Sequence, residues 1–173
     1  AVKAGRAVML PRFDKRADEP LSSREWPLLE GPCDLLLFEG WCVGARPVPD
    51  NILAEPVNDL ERDDDPDGIW RSHWNAHLAG ETAELFARID RLAYLRPPSF
   101  EIVHTWRCEQ EHGYQAVDGA QRAAAAMTDE QVARFIAHYE RLTRWIMEEM
   151  PGRADVTIQL DEARSPVSVS ERA

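Results

Sequence analysis

Residues 33–41 read CDLLLFEGW. The run from Leu35 to Phe38 has no polar alternation, and a short continuous apolar run of this kind suits a parallel strand covered on both faces. It stops on Glu39 and Gly40. In open α/β sheets the chemistry sits just beyond the carboxyl ends of such strands, so Glu39 is expected at a functional edge. A carboxylate there supplies the hard oxygen that Mg²⁺, or the waters it holds beside phosphates, requires, and a glycine lets the backbone turn away. The plainer reading of the same residues is a buried strand whose last side chain faces water.

The chain has 173 residues, which suits one domain with a proper core. It is 44% hydrophobic and 29% charged, an ordinary balance for a soluble globular protein. The net charge of −11 argues against a nucleic-acid partner, because phosphate backbones demand surplus cations. Only Lys3 and Lys15 are lysines, so arginine carries nearly all the positive charge, and its fork suits phosphate or carboxylate. The three cysteines, Cys33, Cys42 and Cys108, form no CxxC pair, which supports neither a disulfide framework nor a zinc ribbon. A reducing, cytoplasmic setting is expected, with no membrane partner, since no apolar stretch approaches the ~18 residues of a span.

The remaining pattern alternates strands and helices. Residues 7–10 form a short apolar run closed by Pro11, and a charged loop follows. Residues 45–56 are broken by Pro47, Pro49 and Pro56. Asp63, Asp64, Asp65 and Asp67 precede a helix in which Trp70, Trp74, Leu78, Leu85 and Ile89 recur; acids at that end complement the helix dipole without needing a metal. Residues 92–95 read as a strand, and Ser99 as the N-cap of a helix through Trp106 and Arg107. Thr128 with Gln131 is a capping-box signature, and one apolar stripe then runs from Val132 to Met150 until Pro151 and Gly152 end it. Val156, Ile158 and Leu160 alternate as a strand does. The expected fold is α/β, a parallel sheet flanked by helices in a single domain over residues 1–173.

Five blocks stand in one order: LPRFDKRAD from Leu10, LLLFEGWCVG from Leu35, PVNDLE from Pro56, SFEIVHTWRCEQE from Ser99 and HYERLTR from His138. Together they resemble the D-glycerate 3-kinase-like P-loop kinases, with their bacterial relatives, a branch near uridine kinase and phosphoribulokinase. The resemblance runs from about Leu10 to Arg164. It implies an ATP- and Mg²⁺-dependent transfer of phosphate to a hydroxyl of glycerate or a similar small acid. By resemblance Glu39 serves the metal or its waters, and Arg107 lies in a lid spanning residues 97–127. Arg12, Asp14, Lys15 and Arg16 look like the acceptor-binding loop, with the cations gripping an anion. Asp161 and Arg164 stand where such kinases pass near the adenine.

The chain departs from that pattern at one decisive point. It contains no GxxxxGK(S/T) and no Gly-Lys dipeptide, and the acid-rich segment that follows the first strand and helix in the family it resembles, a good candidate there for the catalytic base, is also absent. The expectation is therefore the C-terminal portion of a kinase domain, its N-terminal strand and P-loop absent, inactive in isolation. The alternative, from a different class, is a non-catalytic α/β binding or assembly module on the same scaffold. For Arg107 the plain reading is an ion pair with Glu111 one turn on. His73 and His77 also stand one turn apart, but without the glutamate of an HExxH arrangement they read first as surface histidines. Cys42 reads as a buried thiol.

Overall fold

The computed structural model describes residues 6–14, 17, 19–117 and 127–172. The chain forms two compact units, Ala1–Gly40 and Trp41–Ala173. In the first, the strands are β1 (Val8–Met9), β2 (Phe13–Asp14), β3 (Glu19–Pro20) and β4 (Leu28–Leu29). The outer pair β1 and β4 and the inner pair β2 and β3 are both antiparallel ladders of two residues. The Trp26 indole donates to the Leu21 carbonyl at 2.9 Å and fixes the intervening turn.

The LLLF run departs from expectation. Residues 35–38 belong to no strand, and Leu35, Leu36, Leu37 and Phe38 are 74%, 73%, 85% and 53% exposed. A continuous apolar strand needs a ladder partner on each side and cover on both faces. Among the described residues of this unit, the two short ladders do not reach it.

In the second unit, α1 (Asp50–Leu53), α2 (Asp59–Asp64), α3 (Ile69–Ala79) and α4 (Glu81–Phe86) lead to β5 (Ala93–Arg96). Then come α5 (Glu101–Val117), α6 (Asp129–Ala137), α7 (Glu140–Glu149), β6 (Val156–Leu160) and β7 (Pro166–Glu171). The sheet order is β5-β6-β7, and the expected strands at 92–95 and 156–160 pair in parallel as β5 and β6. The sheet is nevertheless mixed, since β7 runs antiparallel to β6. The turn explains this: Ser165 donates to the Asp161 carboxylate at 2.8 Å and Asp161 donates back to the Ser165 carbonyl, so the chain reverses within four residues.

The helix patterns divide where the backbone must bend. Thr128 and Gln131 form the capping box at the start of α6. The stripe that follows breaks at His138 and Tyr139 and serves two cores. Val132 and Ile136 pack with Phe100 and Cys108, whereas Leu142, Ile146 and Met150 pack with Leu78 and Tyr94. The pattern around Trp70 likewise breaks at Gly80 into α3 and α4, and Trp70 is 70% exposed. The face of α3 that is buried is Arg71, Asn75 and Leu78, at i, i+4 and i+7.

Those polar residues hold the proline-broken segment. Asn75 accepts from the Val48 amide at 2.7 Å and donates to its carbonyl at 2.9 Å. Arg71 donates to the carbonyls of Leu53 and Ala54 at 2.9 and 3.0 Å, and Arg141 to those of Ile52 and Glu55 at 2.8 and 2.5 Å. Four consecutive carbonyls at the end of α1, which no helix continues, thus find donors in two side chains. Arg141 also grips both oxygens of Glu61, and Arg71 meets Asp65 at 3.3 Å. Gly68 (φ +69°) makes room, because a Cβ there would lie 3.0 Å from the Arg71 guanidinium. Gly44 (φ +79°) is similarly constrained, with a Cβ meeting Leu92 at 2.9 Å.

Two predictions follow from this clamp. Arg141→Leu leaves the part-buried Glu61 carboxylate and two carbonyls without their donor, and should cost ~3 kcal/mol of stability by urea denaturation, the lower end of what loss of one partner of a buried pair costs; a loss under ~1 kcal/mol would contradict the clamp. The second concerns acid. Burial pushes the Asp65 carboxyl up, but the amides of Trp70 and Arg71 and the Arg71 charge outweigh it and hold the group below its ordinary value. Its contribution is therefore fully present above the unfolded value of ~3.9 and lost as pH falls through the lower folded value. Urea melts from pH 7 to pH 2.5 should show a steep loss below about pH 4, and Asp65→Asn should flatten it.

Candidate functional site

Helix α5 starts where Pro97 and Pro98 end the preceding strand and the Ser99 hydroxyl accepts from the Ile102 amide at 3.4 Å. Its positions 103, 106, 107 and 110 fall on one face by helical spacing. With Glu109 and Arg164 they line an open groove of about 620 Å³. Two residues singled out from sequence, Arg107 and Arg164, are therefore brought to one place from points 57 residues apart in the chain.

Arg164 gets there through the β6–β7 turn. It has φ of +66°, a conformation that side-chain-bearing residues seldom adopt, and its amide donates to the Asp161 carbonyl at 3.1 Å. Asp161 thus acts on the turn. The Arg164 guanidinium lies over the Trp106 ring at 5.2 Å and pairs with Glu109 at 2.6 Å. The Trp106 indole donates to the Glu162 carbonyl at 2.7 Å, tying helix to turn.

Arg107 is more enclosed. It pairs with Glu111 at 2.5 Å, donates to Gln110 at 2.6 Å and lies 5.4 Å from the Phe135 ring centre. The expected pair with Glu111 is present, although Glu111 is buried and so not the fully exposed partner of the plain reading. One group stays unused: the Arg107 Nε is buried without an acceptor. A buried donor lacking a partner costs ~1–3 kcal/mol, so the site carries an unmet demand for an acceptor oxygen. Phe135 continues a ring chain, with Tyr139 at 5.0 Å and Trp41 a further 4.8 Å on, and the Trp41 indole donates to Thr143 at 2.9 Å.

The other expected residues lie in the 1–40 unit. Glu39 is exposed, and among the described residues no hydrogen bond or ion pair engages it, so its oxygens are available to a cation. Arg12 is exposed at the start of the β2–β3 hairpin, and its carbonyl accepts from Leu21 at 2.9 Å. Asp14 accepts from the Ala17 amide at 3.4 Å. Lys15 and Arg16 lie outside the described residues. The Cys42 thiol is half-buried and pushed up by burial, as suits an inert thiol.

Sequence reading missed Trp106, Gln110 and Phe135 as groove and support residues. The first two share the helix face of Arg107 by spacing, a signal present in the sequence; the contact from Phe135 is tertiary and has no local signature.

No protein-family model matches this chain. It is 25% identical over 177 residues to the chloroplastic D-glycerate 3-kinase of Arabidopsis thaliana, with 95% of this chain and 35% of that protein covered. It is 26% identical over 137 residues to the uncharacterized kinase mug58 of Schizosaccharomyces pombe, covering 76% of this chain and 47% of the relative. The solved D-glycerate 3-kinase of Cryptococcus neoformans superposes with a TM-score of 0.71 at 26% identity, over 96% of this chain and 60% of that one. The chain thus spans about a third to three-fifths of the length of these relatives. The resemblance carried by the five sequence blocks holds in both comparisons, and sequence and fold alike point to the D-glycerate 3-kinase-like family.

Proposed function

We propose that these residues form the nucleotide-side and lid half of a small-molecule kinase that transfers phosphate from ATP to a hydroxyl of glycerate or a similar acid. The observation that carries this reading is the convergence of Arg107 and Arg164 on one groove, with the Trp106 ring stacked against Arg164 in its lining. Trp106 and the Asp161–Arg164 turn offer a face for the adenine, since a base stacks on a ring or on a guanidinium plane. Arg107, in the lid segment 97–127, offers a phosphate oxygen the guanidinium nitrogens that Gln110 and Glu111 hold at rest. At rest Glu111 and Glu109 neutralise the two arginines, so a polyphosphate competes with those acids as it binds.

A phosphate cradle is required as well, and a GxxxxGK(S/T) segment outside these 173 residues would supply it. Mg²⁺ would contribute charge neutralisation at the phosphates, and the exposed carboxylate of Glu39 fits it as a hard oxygen donor. Arg12, Lys15 and Arg16 would bind the acceptor carboxylate, with Asp14 beside them in the sequence. The work of all these groups is positioning and electrostatics, which is what phosphoryl transfer asks of a protein. The cytoplasm is the compartment that suits three thiols without a disulfide framework; among the described residues no helix is long and apolar enough to cross a membrane.

In the polypeptide that joins these residues to a GxxxxGK(S/T) segment, Glu39→Gln should keep the melting temperature and lower kcat at least ~10²-fold, comparable to loss of one preorganised charge-stabilising group. Unchanged turnover would make Glu39 an ordinary surface acid. For Arg107, Lys and Ala variants separate charge from geometry. A lid arginine acts in the closed state, so kcat should fall more than ATP affinity, with lysine rescuing only in part because it lacks the planar fork. If Arg107 merely staples α5 through Glu111, both variants should turn over within about twofold of the parent, a difference of only ~0.4 kcal/mol in the barrier.

A further inference from the structure

The face of α3 opposite its buried residues presents Trp70, His73 and His77, all exposed. The two imidazoles stand one helical turn apart with ring centres 4.7 Å from each other, and Trp70 meets His73 at 6.4 Å. The other histidines of the chain have neighbours at their ring nitrogens. His138 faces the Arg134 carbonyl at 3.0 Å, His112 pairs with Asp129 at 3.2 Å, and His104 lies 3.7 Å from the Cys108 sulfur. Among the described residues no hydrogen bond engages the ring nitrogens of His73 or His77, whose only recorded contacts are between rings.

We propose that His73 and His77 form a two-histidine chelate for a divalent transition-metal ion of the Ni²⁺, Cu²⁺ or Zn²⁺ class. An imidazole binds such an ion at ~2.0–2.1 Å, so a shared ion holds the two nitrogens ~3 Å apart. Rings 4.7 Å apart reach that spacing by side-chain rotation on a fixed helix. Imidazole suits these ions, whereas Mg²⁺ prefers carboxylate, carbonyl and water oxygens. The site is therefore chemically distinct from any metal Glu39 would serve. Two further features favour a cation here. His77 lies in the last turn of α3, where the helix dipole is negative, and the whole chain carries a net charge of −11. Among the described residues no group of three or more His, Cys, Asp or Glu side chains is placed to hold a metal ion, so the chelate has two protein ligands and solvent would fill the other positions.

The site has a structural consequence. The same helix carries Arg71 and Asn75 on its buried face, and these hold the carbonyls of Leu53 and Ala54 and both backbone groups of Val48. An ion that fastens residues 73 and 77 in helical geometry binds the folded state better than the unfolded one, and so stabilises the segment that α3 clamps.

The test is a calorimetric titration of Ni²⁺ into the 173-residue chain and into His73→Gln and His77→Gln variants, with thermal melts and Trp fluorescence in parallel. Both histidines are exposed, so the variants retain the fold. Either single substitution should weaken Ni²⁺ binding at least tenfold. Ni²⁺ should raise the melting temperature of the parent and of neither variant, and should quench fluorescence in the parent but much less in Trp70→Phe. Mg²⁺ at the same concentration should do none of this. Equal Ni²⁺ affinity in parent and variants would overturn the proposal by placing the ion elsewhere, on the cysteines for instance, and an equal response to Mg²⁺ would overturn the assignment of ion class.

Discussion

Four consecutive carbonyls, those of Ile52, Leu53, Ala54 and Glu55, end a one-turn helix that nothing continues, and two arginines remote in sequence take them up between them. Burying such carbonyls unmet would cost ~1–3 kcal/mol each, which is comparable in sum to the stability of a small domain. Arg71 reaches them from α3 and Arg141 from α7, so one polar clamp fixes an irregular segment against two helices. Each arginine is itself neutralised, by Asp65 and by Glu61.

This clamp also explains what the sequence blocks are for. Asn58 and Glu61 belong to PVNDLE and Arg141 to HYERLTR, and the two blocks dock directly: Asn58 donates to the Ala137 carbonyl at 2.9 Å and to Glu140 at 3.0 Å, while Arg141 grips Glu61. Trp41, from LLLFEGWCVG, donates to Thr143 of HYERLTR. Its ring chain runs through Tyr139 and Phe135 to Arg107 of the WRCEQE block. Much of what reads as a family signature is therefore a set of mutual contacts in one unit, and the groove residues sit on top of it.

Local chemistry was legible in the sequence and polar burial was not. The capping box of Thr128 and Gln131, the stop at Pro151 and Gly152, and the strands at 92–95 and 156–160 all rest on short-range rules and appear where those rules place them. The core face of α3 was misread because it is built from Arg71 and Asn75; periodicity of apolar residues pointed to Trp70, which faces water. The break at His138 and Tyr139 escaped for a related reason, since Val132 to Met150 form one apolar stripe yet serve two separate cores. Residues 35–38 read as a covered strand because composition reports preference for burial, whereas cover itself depends on neighbours. In the site, Arg107 and Arg164 were reached through the resemblance, while their meeting on one groove is a tertiary fact.

The central claim is that the groove between α5 and the β6–β7 turn receives the nucleotide. Photo-crosslinking with 8-azido-ATP, in the polypeptide that joins these residues to a GxxxxGK(S/T) segment, reads that position directly through mass spectrometry of the labelled peptides. The account predicts label on residues 103–110 and 161–166, competed away by unmodified ATP. Competable label confined to other parts of the chain, with these two peptides clean, would contradict it.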